Sequence, residues 1–84
     1  MALRFGADVS TTETRYGTVL LDQRSGHYWE LNPTGTLIVR VLMEGGDEAA
    51  AADALVDAYD IDRPRAEQDV ALLVAELRSS GLAA

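Results

Sequence analysis

The apolar residues change their spacing once along the chain, at Asn32-Pro33, and this change limits the folds that the sequence can adopt. Before it, short runs rich in β-branched and aromatic residues are typical of strands; after it, apolar residues recur at helical spacing. Asn is a favoured N-cap and Pro is tolerated in a first helical turn, so a helix begins here. Strands followed by helices, rather than alternating with them, predict the α+β class.

Three strands are predicted before this point. The segments 18–21 (TVLL) and 27–31 (HYWEL) form a hairpin around the polar run 22–26, which ends in a glycine. Segment 7–12 is a further strand candidate, separated from the hairpin by residues 13–15. We expect a three-stranded antiparallel sheet, with one face of 27–31 packed on the helices and the other partly exposed, because side chains alternate along a strand.

Three helices are predicted after it. The first ends at Gly45-Gly46, since glycine readily takes the left-handed conformation that closes a helix. Asp47 and Asp62 are placed to cap the second and third helices, and Pro64 lies in the first turn of the third. The predicted core faces are Leu37, Ile38, Val41 and Leu42; Ala52, Leu55, Val56 and Tyr59; and Ala66, Val70, Leu73, Val74 and Leu77. A small sheet followed by short helices predicts a winged helix-turn-helix-like fold.

Length and charge exclude several classes of protein. With 84 residues we expect a single domain over 1–84 with one modest core, which leaves little room for a deep catalytic cavity. The net charge of -7 disfavours nucleic acid and anionic membrane as partners. The sequence contains no Cys, so disulfides and thiol chemistry are absent. No window approaches the ~18 apolar residues of a membrane span, which predicts a soluble, cytoplasmic protein.

Residues with catalytic or ligand-binding chemistry form no recognisable site in the sequence. His27 is the only His, and no Ser or Cys nucleophile with an ordered partner accompanies it. The acidic group Asp57, Asp60 and Asp62 lacks the alternating ligands and closing Glu of a calcium loop. We therefore expect no enzymatic activity, no cofactor and no metal. DNA binding remains an alternative for a winged helix, although the third helix carries about as many acidic as basic residues.

The run 17–35 (GTVLLDQRSGHYWELNPTG), with Asp69-Val70 near the start of the last helix, resembles the PqqD-like family of peptide recognition domains. The resemblance covers residues 9–82. It is carried by Gly17, Leu20, Leu21, Asp22, Gly26, Tyr28, Leu31, Asn32, Thr34, Gly35, Gly45, Asp69 and Val70. This similarity implies a RiPP recognition element, a non-catalytic domain that binds the leader of a ribosomally made precursor peptide.

The Arg-rich, Lys-free and Ala-rich chain looks most like the stand-alone recognition subunit of a lasso peptide system. In such systems the leader peptidase is a separate chain, and a cyclase is a further partner. The alternative within the family is a PqqD-type peptide chaperone for a radical enzyme.

The resemblance also implies where the leader binds: as an extra strand beside segment 27–31, against the last helix. Such strand addition uses the unpaired backbone groups of a sheet edge. On the helix, residues spaced four, three and four apart form a stripe beside the core face. The candidate leader-binding residues are His27, Tyr28, Trp29, Glu30, Leu31, Arg65, Asp69, Leu72, Leu73 and Glu76. The same edge can also pair with a second copy, which gives a homodimer.

Overall fold

A computed structural model describes residues 3–83, so the outermost residues of the predicted 1–84 domain lie outside the described part. The elements are β1 (Val9–Thr14), β2 (Gly17–Asp22), β3 (Tyr28–Leu31), α1 (Pro33–Met43), α2 (Glu48–Tyr59) and α3 (Arg63–Ser79). The strands form one antiparallel sheet in the order β1-β2-β3. The predicted α+β architecture, a three-stranded antiparallel sheet followed by three helices, is confirmed.

The register of the sheet decides which side of β3 faces the helices. Leu20 pairs with Trp29 and Thr18 with Leu31, and directly opposite residues point to the same face. Leu20 is fully buried, so this face carries the core, which Leu31 joins. Trp29 lies on the same face but keeps 36% of its surface exposed. The predicted packing of one strand face on the helices is therefore right for Leu31 and incomplete for Trp29.

The turn from β2 to β3 is held by Asp22. Its carboxylate accepts hydrogen bonds from the Arg24 N–H (3.0 Å) and the Ser25 hydroxyl (3.1 Å), and its carbonyl accepts the Gly26 N–H (2.8 Å). The hydrogen bond from the Arg24 backbone holds the pKa of the Asp22 carboxyl below its usual value, against a smaller opposing effect of desolvation. Gly26 takes the left-handed conformation, with φ 78°. The turn therefore fixes where β3 begins.

The other end of β3 is fixed by a close backbone contact and a helix cap. A Cβ on Gly17 would lie 1.8 Å from the carbonyl oxygen of Leu31, so only glycine fits there. Asn32 then caps α1, with its side-chain oxygen accepting the Gly35 N–H and the Thr34 hydroxyl, both at 2.9 Å. β3 passes into α1 without an intervening loop, which places the first turn of α1 beside the end of the strand.

The core lies between the sheet and the helices. α1 is central, because it packs on β2, β3, α2 and α3. It is tied to the sheet by the Thr18 and Thr36 hydroxyls, 2.8 Å apart, and by an Arg40–Glu13 hydrogen bond of 2.8 Å that raises the pKa of Arg40. An ion pair between Arg63 and Asp53 joins α3 to α2. The buried apolar residues are Leu3, Leu20, Leu31, Ile38, Val39, Leu42, Ala51, Ala52, Leu55, Ala66, Val70, Val74, Leu77 and Leu82.

Several expected strand boundaries are wrong by one or two residues. β1 spans 9–14 rather than 7–12, because residues 7 and 8 form a turn closed by a hydrogen bond from the Val9 N–H to the Gly6 carbonyl. Residues 13 and 14 therefore belong to the strand, and only Arg15 and Tyr16 separate β1 from β2. His27 precedes β3 instead of opening it, although its carbonyl still accepts the Asp22 N–H at 2.9 Å.

The predicted core faces also need correction. On α1, Leu37 and Val41 are half-buried, and Val39 is buried in addition to the expected Ile38 and Leu42, because α1 is packed on several sides. Tyr59 ends α2 and is 43% exposed, so it is not a core residue. Asp62 is the N-cap residue of α3 as expected, but its side chain makes no capping hydrogen bond.

Candidate peptide-binding site

β3 is an edge strand in the described part of the chain, and two of its residues present free backbone groups. The Asp22 N–H donates to the His27 carbonyl across the β2–β3 register. Because antiparallel pairs alternate between hydrogen-bonded and non-hydrogen-bonded, Trp29 and Leu31 direct their backbone groups towards β2. Tyr28 and Glu30 direct theirs outward. This edge therefore offers two N–H donors and two carbonyl acceptors to an added strand.

A groove separates this edge from α3. α1 contacts both β3 and α3, whereas no Cα atom of β3 lies within 8 Å of a Cα atom of α3 in the described structure. The groove has a volume of about 560 Å³, within the range of ordinary ligand sites. Its lining residues are Trp29, Glu30, Leu31, Asn32, Thr34, Gly35, Ile38, Ile61, Arg65, Asp69, Leu72, Leu73 and Glu76.

The α3 wall of the groove has the length of a short extended peptide. Residues 65–76 span eleven helical positions, or about 16 Å at ~1.5 Å per residue. An extended strand covers that distance in about five residues. The wall includes Leu72, which is 57% exposed, and the half-buried Leu73. An exposed leucine beside an open groove is apolar surface that a bound chain can cover.

The groove is acidic except at one end. Arg65 and Asp69 are paired across one helical turn, with 3.7 Å between the Arg65 Nε and an Asp69 carboxylate oxygen. Glu76 lines the groove, and Glu30 borders it at the β3 edge with its side chain on the outer face of the sheet; neither takes part in an ion pair among residues 3–83. Together with the net charge of -7, these carboxylates favour a partner that carries basic side chains.

Eight of the ten residues predicted for the site line this groove; the other two do not. The eight are Trp29, Glu30, Leu31, Arg65, Asp69, Leu72, Leu73 and Glu76. His27 lies in the turn before β3 and is exposed, with its N–H donating to the Ser25 hydroxyl at 3.2 Å. Tyr28 lies on β3 but projects from the opposite face of the sheet and is 65% exposed.

Sequence reasoning missed the floor of the groove and one end of it. Thr34, Gly35 and Ile38 come from α1, and their position follows from the direct passage of β3 into α1. Ile61 comes from the turn between α2 and α3. The available signal for Ile61 was a single apolar residue between Asp60 and Asp62, in a turn otherwise made of charged residues.

Two properties of the described residues concern other kinds of function. No group of three or more His, Cys, Asp or Glu side chains in residues 3–83 is arranged to hold a metal ion. Across the same residues, no helix combines the length and the apolar character that crossing a membrane requires.

Comparison with known proteins adds to this geometry. Residues 17–83 match the family described as coenzyme PQQ synthesis protein D (PqqD). The chain belongs to the PqqD family. The resemblance found in the sequence, to the PqqD-like RiPP recognition elements, is thereby confirmed. No curated protein matches the sequence.

Two solved structures extend the comparison. The first is lasso peptide synthetase B1 complexed with the leader peptide; it is 43% identical, with a TM-score of 0.93, and the match covers 100% of this chain and 99% of the other. The second is TbiB1 in complex with the TbiA(beta) leader peptide, 28% identical, with a TM-score of 0.85 and coverage of 95% and 93%. Neither the radical-enzyme chaperone nor the DNA-binding alternative is favoured by these matches.

Proposed function

We propose that this chain is a non-catalytic recognition domain that binds the leader region of a ribosomally made precursor peptide as a fourth strand beside β3. The observation that supports this most strongly is the 43% identity, over the full chain, to a lasso subunit that was solved with a leader peptide. The free β3 edge and the groove behind it supply the physical means of binding.

The edge and the groove contribute different parts of recognition. Backbone hydrogen bonds to Tyr28 and Glu30 give affinity without reading the side chains of the leader. The groove reads alternate leader residues, because every second side chain of the added strand points towards α3. Trp29, Leu72 and Leu73 suit apolar leader residues, whereas Asp69 and Glu76 suit polar or basic ones. His27 lies outside the groove, and its N–H and carbonyl are bonded to Ser25 and Asp22, so its proposed role is to position the β3 edge.

The partners of this function are separate proteins. The groove is lined by carboxylates, one arginine, apolar side chains, Asn32 and Thr34, and the Thr34 hydroxyl donates to the side-chain amide oxygen of Asn32, which is not a base that activates a nucleophile. Cleavage of the leader and closure of the lasso ring therefore fall to a separate leader peptidase and cyclase, to which this chain presents the precursor. Binding and presentation of one flexible peptide need a reversible complex, and strand addition provides one.

Trp29 makes this proposal directly testable. It is the only Trp in the sequence, and it lines the groove, so its fluorescence reports occupation of the site. The probe is a Trp-free synthetic leader from the lasso peptide synthetase B1 complex, with a scrambled peptide of the same composition as control. We expect a saturable change in emission with the leader alone. Equal responses to both peptides, or no response to either, would reject leader recognition at this groove.

Two substitutions on α3 test whether the leader contacts the α3 wall of the groove. Leu72→Ala and Asp69→Ala are each expected to raise the dissociation constant, Leu72→Ala by about tenfold, since a buried anchor is worth more than ~1 kcal/mol. Gln68→Ala is the matched control, because Gln68 is exposed on the same helix and does not line the groove. If both groove variants bind as tightly as the unmodified protein, the leader occupies another surface.

A further inference from the structure

The face of the sheet opposite the helices carries a second row of side chains at the same edge. Tyr28 pairs with Leu21 and Glu30 with Val19, so these four side chains share the outer face. α1 is the helix that packs on β2 and β3, and it lies on the other face, against Leu20. Within residues 3–83 the outer face is uncovered, and Tyr28 remains 65% exposed there.

The outer-face residues of β3 are also those with free backbone groups. In a strand, residues two apart share both the direction of their backbone groups and the face of their side chains. Tyr28 and Glu30 therefore present unpaired N–H and C=O groups at the edge and side chains on the outer face. In an antiparallel added strand, the residues that hydrogen-bond to them lie directly opposite and point to that same face.

We infer that the bound leader is read on both faces of the sheet, with Tyr28 and Glu30 as specificity-determining residues of the outer face. This inference rests on the proposed function. The leader residue opposite Tyr28 is aromatic or branched aliphatic, because it extends the cross-strand pair of Leu21 and Tyr28. The leader residue opposite Glu30, two positions away, is basic. The leader residue between them points into the groove.

The charge around Glu30 supports a basic leader residue at the position opposite it. Glu30 is exposed and makes no ion pair among the described residues. Its cross-strand neighbour on β2 is the apolar Val19, so no basic side chain is directly opposite it in the sheet. A basic leader residue on the free side of β3 would place the first opposite charge directly beside the Glu30 carboxylate. Opposite charges in such cross-strand positions are favourable, whereas like charges are unfavourable.

The first experiment maps the register of the added strand. Single backbone N-methylations are introduced along the leader from the lasso peptide synthetase B1 complex, and dissociation constants are measured by Trp29 fluorescence. We expect two positions, two residues apart, at which methylation lowers affinity by about fivefold or more, because each removes a ladder hydrogen bond. Equal effects at consecutive positions would contradict an added β-strand.

The second experiment tests whether Glu30 and Tyr28 recognise the leader side chains opposite them. At the mapped position opposite Glu30, leaders with Lys and with Glu are compared on the unmodified protein and on Glu30→Lys. The unmodified protein is expected to prefer Lys by about threefold to fivefold, and Glu30→Lys is expected to reverse that preference. At the position opposite Tyr28, an Ile-to-Ser change is expected to cost about fivefold on the unmodified protein and little on Tyr28→Thr, which keeps the β-branched strand character.

Controls separate this inference from the proposed function. The loss of binding free energy caused by Leu72→Ala should simply add to the loss caused by each outer-face change in the leader, since Leu72 lies on the groove side and is not coupled to the outer face. Circular dichroism checks that each variant is folded. If the unmodified protein binds no leader, the proposed function fails. If it binds and the outer-face changes neither matter nor couple to Tyr28 and Glu30, only this inference is overturned.

Discussion

At the scale of single residues, four of the positions that carry the family resemblance fix the two ends of β3. Gly17 allows the start of β2 to approach Leu31, Asp22 and Gly26 form the turn before β3, and Asn32 caps the helix after it. These residues hold the ends of a four-residue strand. They therefore hold the edge in a fixed position, from which the side chains of β3 can set specificity.

Gly17 and Gly26 should differ sharply in their tolerance of alanine. Gly17→Ala would place its Cβ 1.8 Å from the Leu31 carbonyl oxygen, and we expect it to destabilise the protein by more than ~3 kcal/mol or to prevent folding. Gly26→Ala meets no atom within 4 Å, so its cost is the left-handed conformation alone, about 1 kcal/mol. Urea unfolding measures both. Similar costs for the two variants would contradict the close β2–β3 approach.

Asp22 should make the stability of the β2–β3 turn dependent on pH. Its pKa is lowered in the folded protein by the Arg24 N–H and the Ser25 hydroxyl, so the ionised form is stabilised relative to the unfolded chain. That stabilisation is present above the unfolded pKa of about 4 and is lost as pH falls through the folded value. We expect Asp22→Asn to melt below the unmodified protein at pH 7, with the difference vanishing at lower pH. A difference independent of pH would refute this role.

At the scale of helices and strands, sequence periodicity predicted the elements well because each obeys local rules. The change at Asn32-Pro33, the predicted cap positions and the terminating glycines predicted all three helices, and the spacing of three and four residues predicted the α3 stripe that lines the groove. The boundaries of β1 were missed because the residue pattern did not reveal the turn closed by the Val9–Gly6 hydrogen bond before the strand or the two-residue connection after it. The groove floor was missed although β3 passes directly into α1, and the Ile61 end was missed because its position depends on how the turn between α2 and α3 packs, which is a non-local arrangement.

The orientation of Tyr28 shows a further limit of periodicity. Alternation along β3 predicts that Tyr28 and Trp29 lie on opposite faces, but not which of them faces the helices. The pairing of Trp29 with buried Leu20 decides this, and it depends on the register with β2. β3 thus contributes Leu31 to the core, Trp29 to the groove and Tyr28 to the outer face.

Proline substitutions along β3 should separate the free edge from the paired edge. At Glu30, proline removes an outward N–H that makes no bond to β2, so Glu30→Pro should fold and lose leader binding. At Trp29, proline removes an N–H that points to β2 and should destabilise the sheet itself. Helical circular dichroism and leader titration distinguish the two effects. A folded Glu30→Pro variant with unchanged affinity would reject strand addition at this edge.

At the scale of the whole molecule, charge argues against the DNA-binding use of a winged fold. The net charge of -7 repels phosphate, and the three basic residues of α3 include Arg63 and Arg65, which are already paired with carboxylates. We expect no mobility shift of duplex DNA even at low salt, where electrostatic binding is strongest. A shift that weakens steeply with salt would restore the DNA-binding alternative.

A free β3 edge also links self-association to leader binding. Two copies that pair through this edge would use the backbone groups of Tyr28 and Glu30 that the leader needs. We therefore expect any dimer seen by sedimentation at high protein concentration to dissociate when leader is added. A dimer that persists with saturating leader uses a different surface.

The most direct test of leader binding at the β3–α3 groove is amide NMR of the labelled protein during addition of the leader from the lasso peptide synthetase B1 complex. We expect saturable shifts at residues 28–31 and 65–76, and protection of the Tyr28 and Glu30 amides from exchange as they join a ladder. A scrambled leader should cause neither. Shifts confined to other elements, or unprotected Tyr28 and Glu30 amides in the saturated complex, would contradict binding of the leader as a fourth strand.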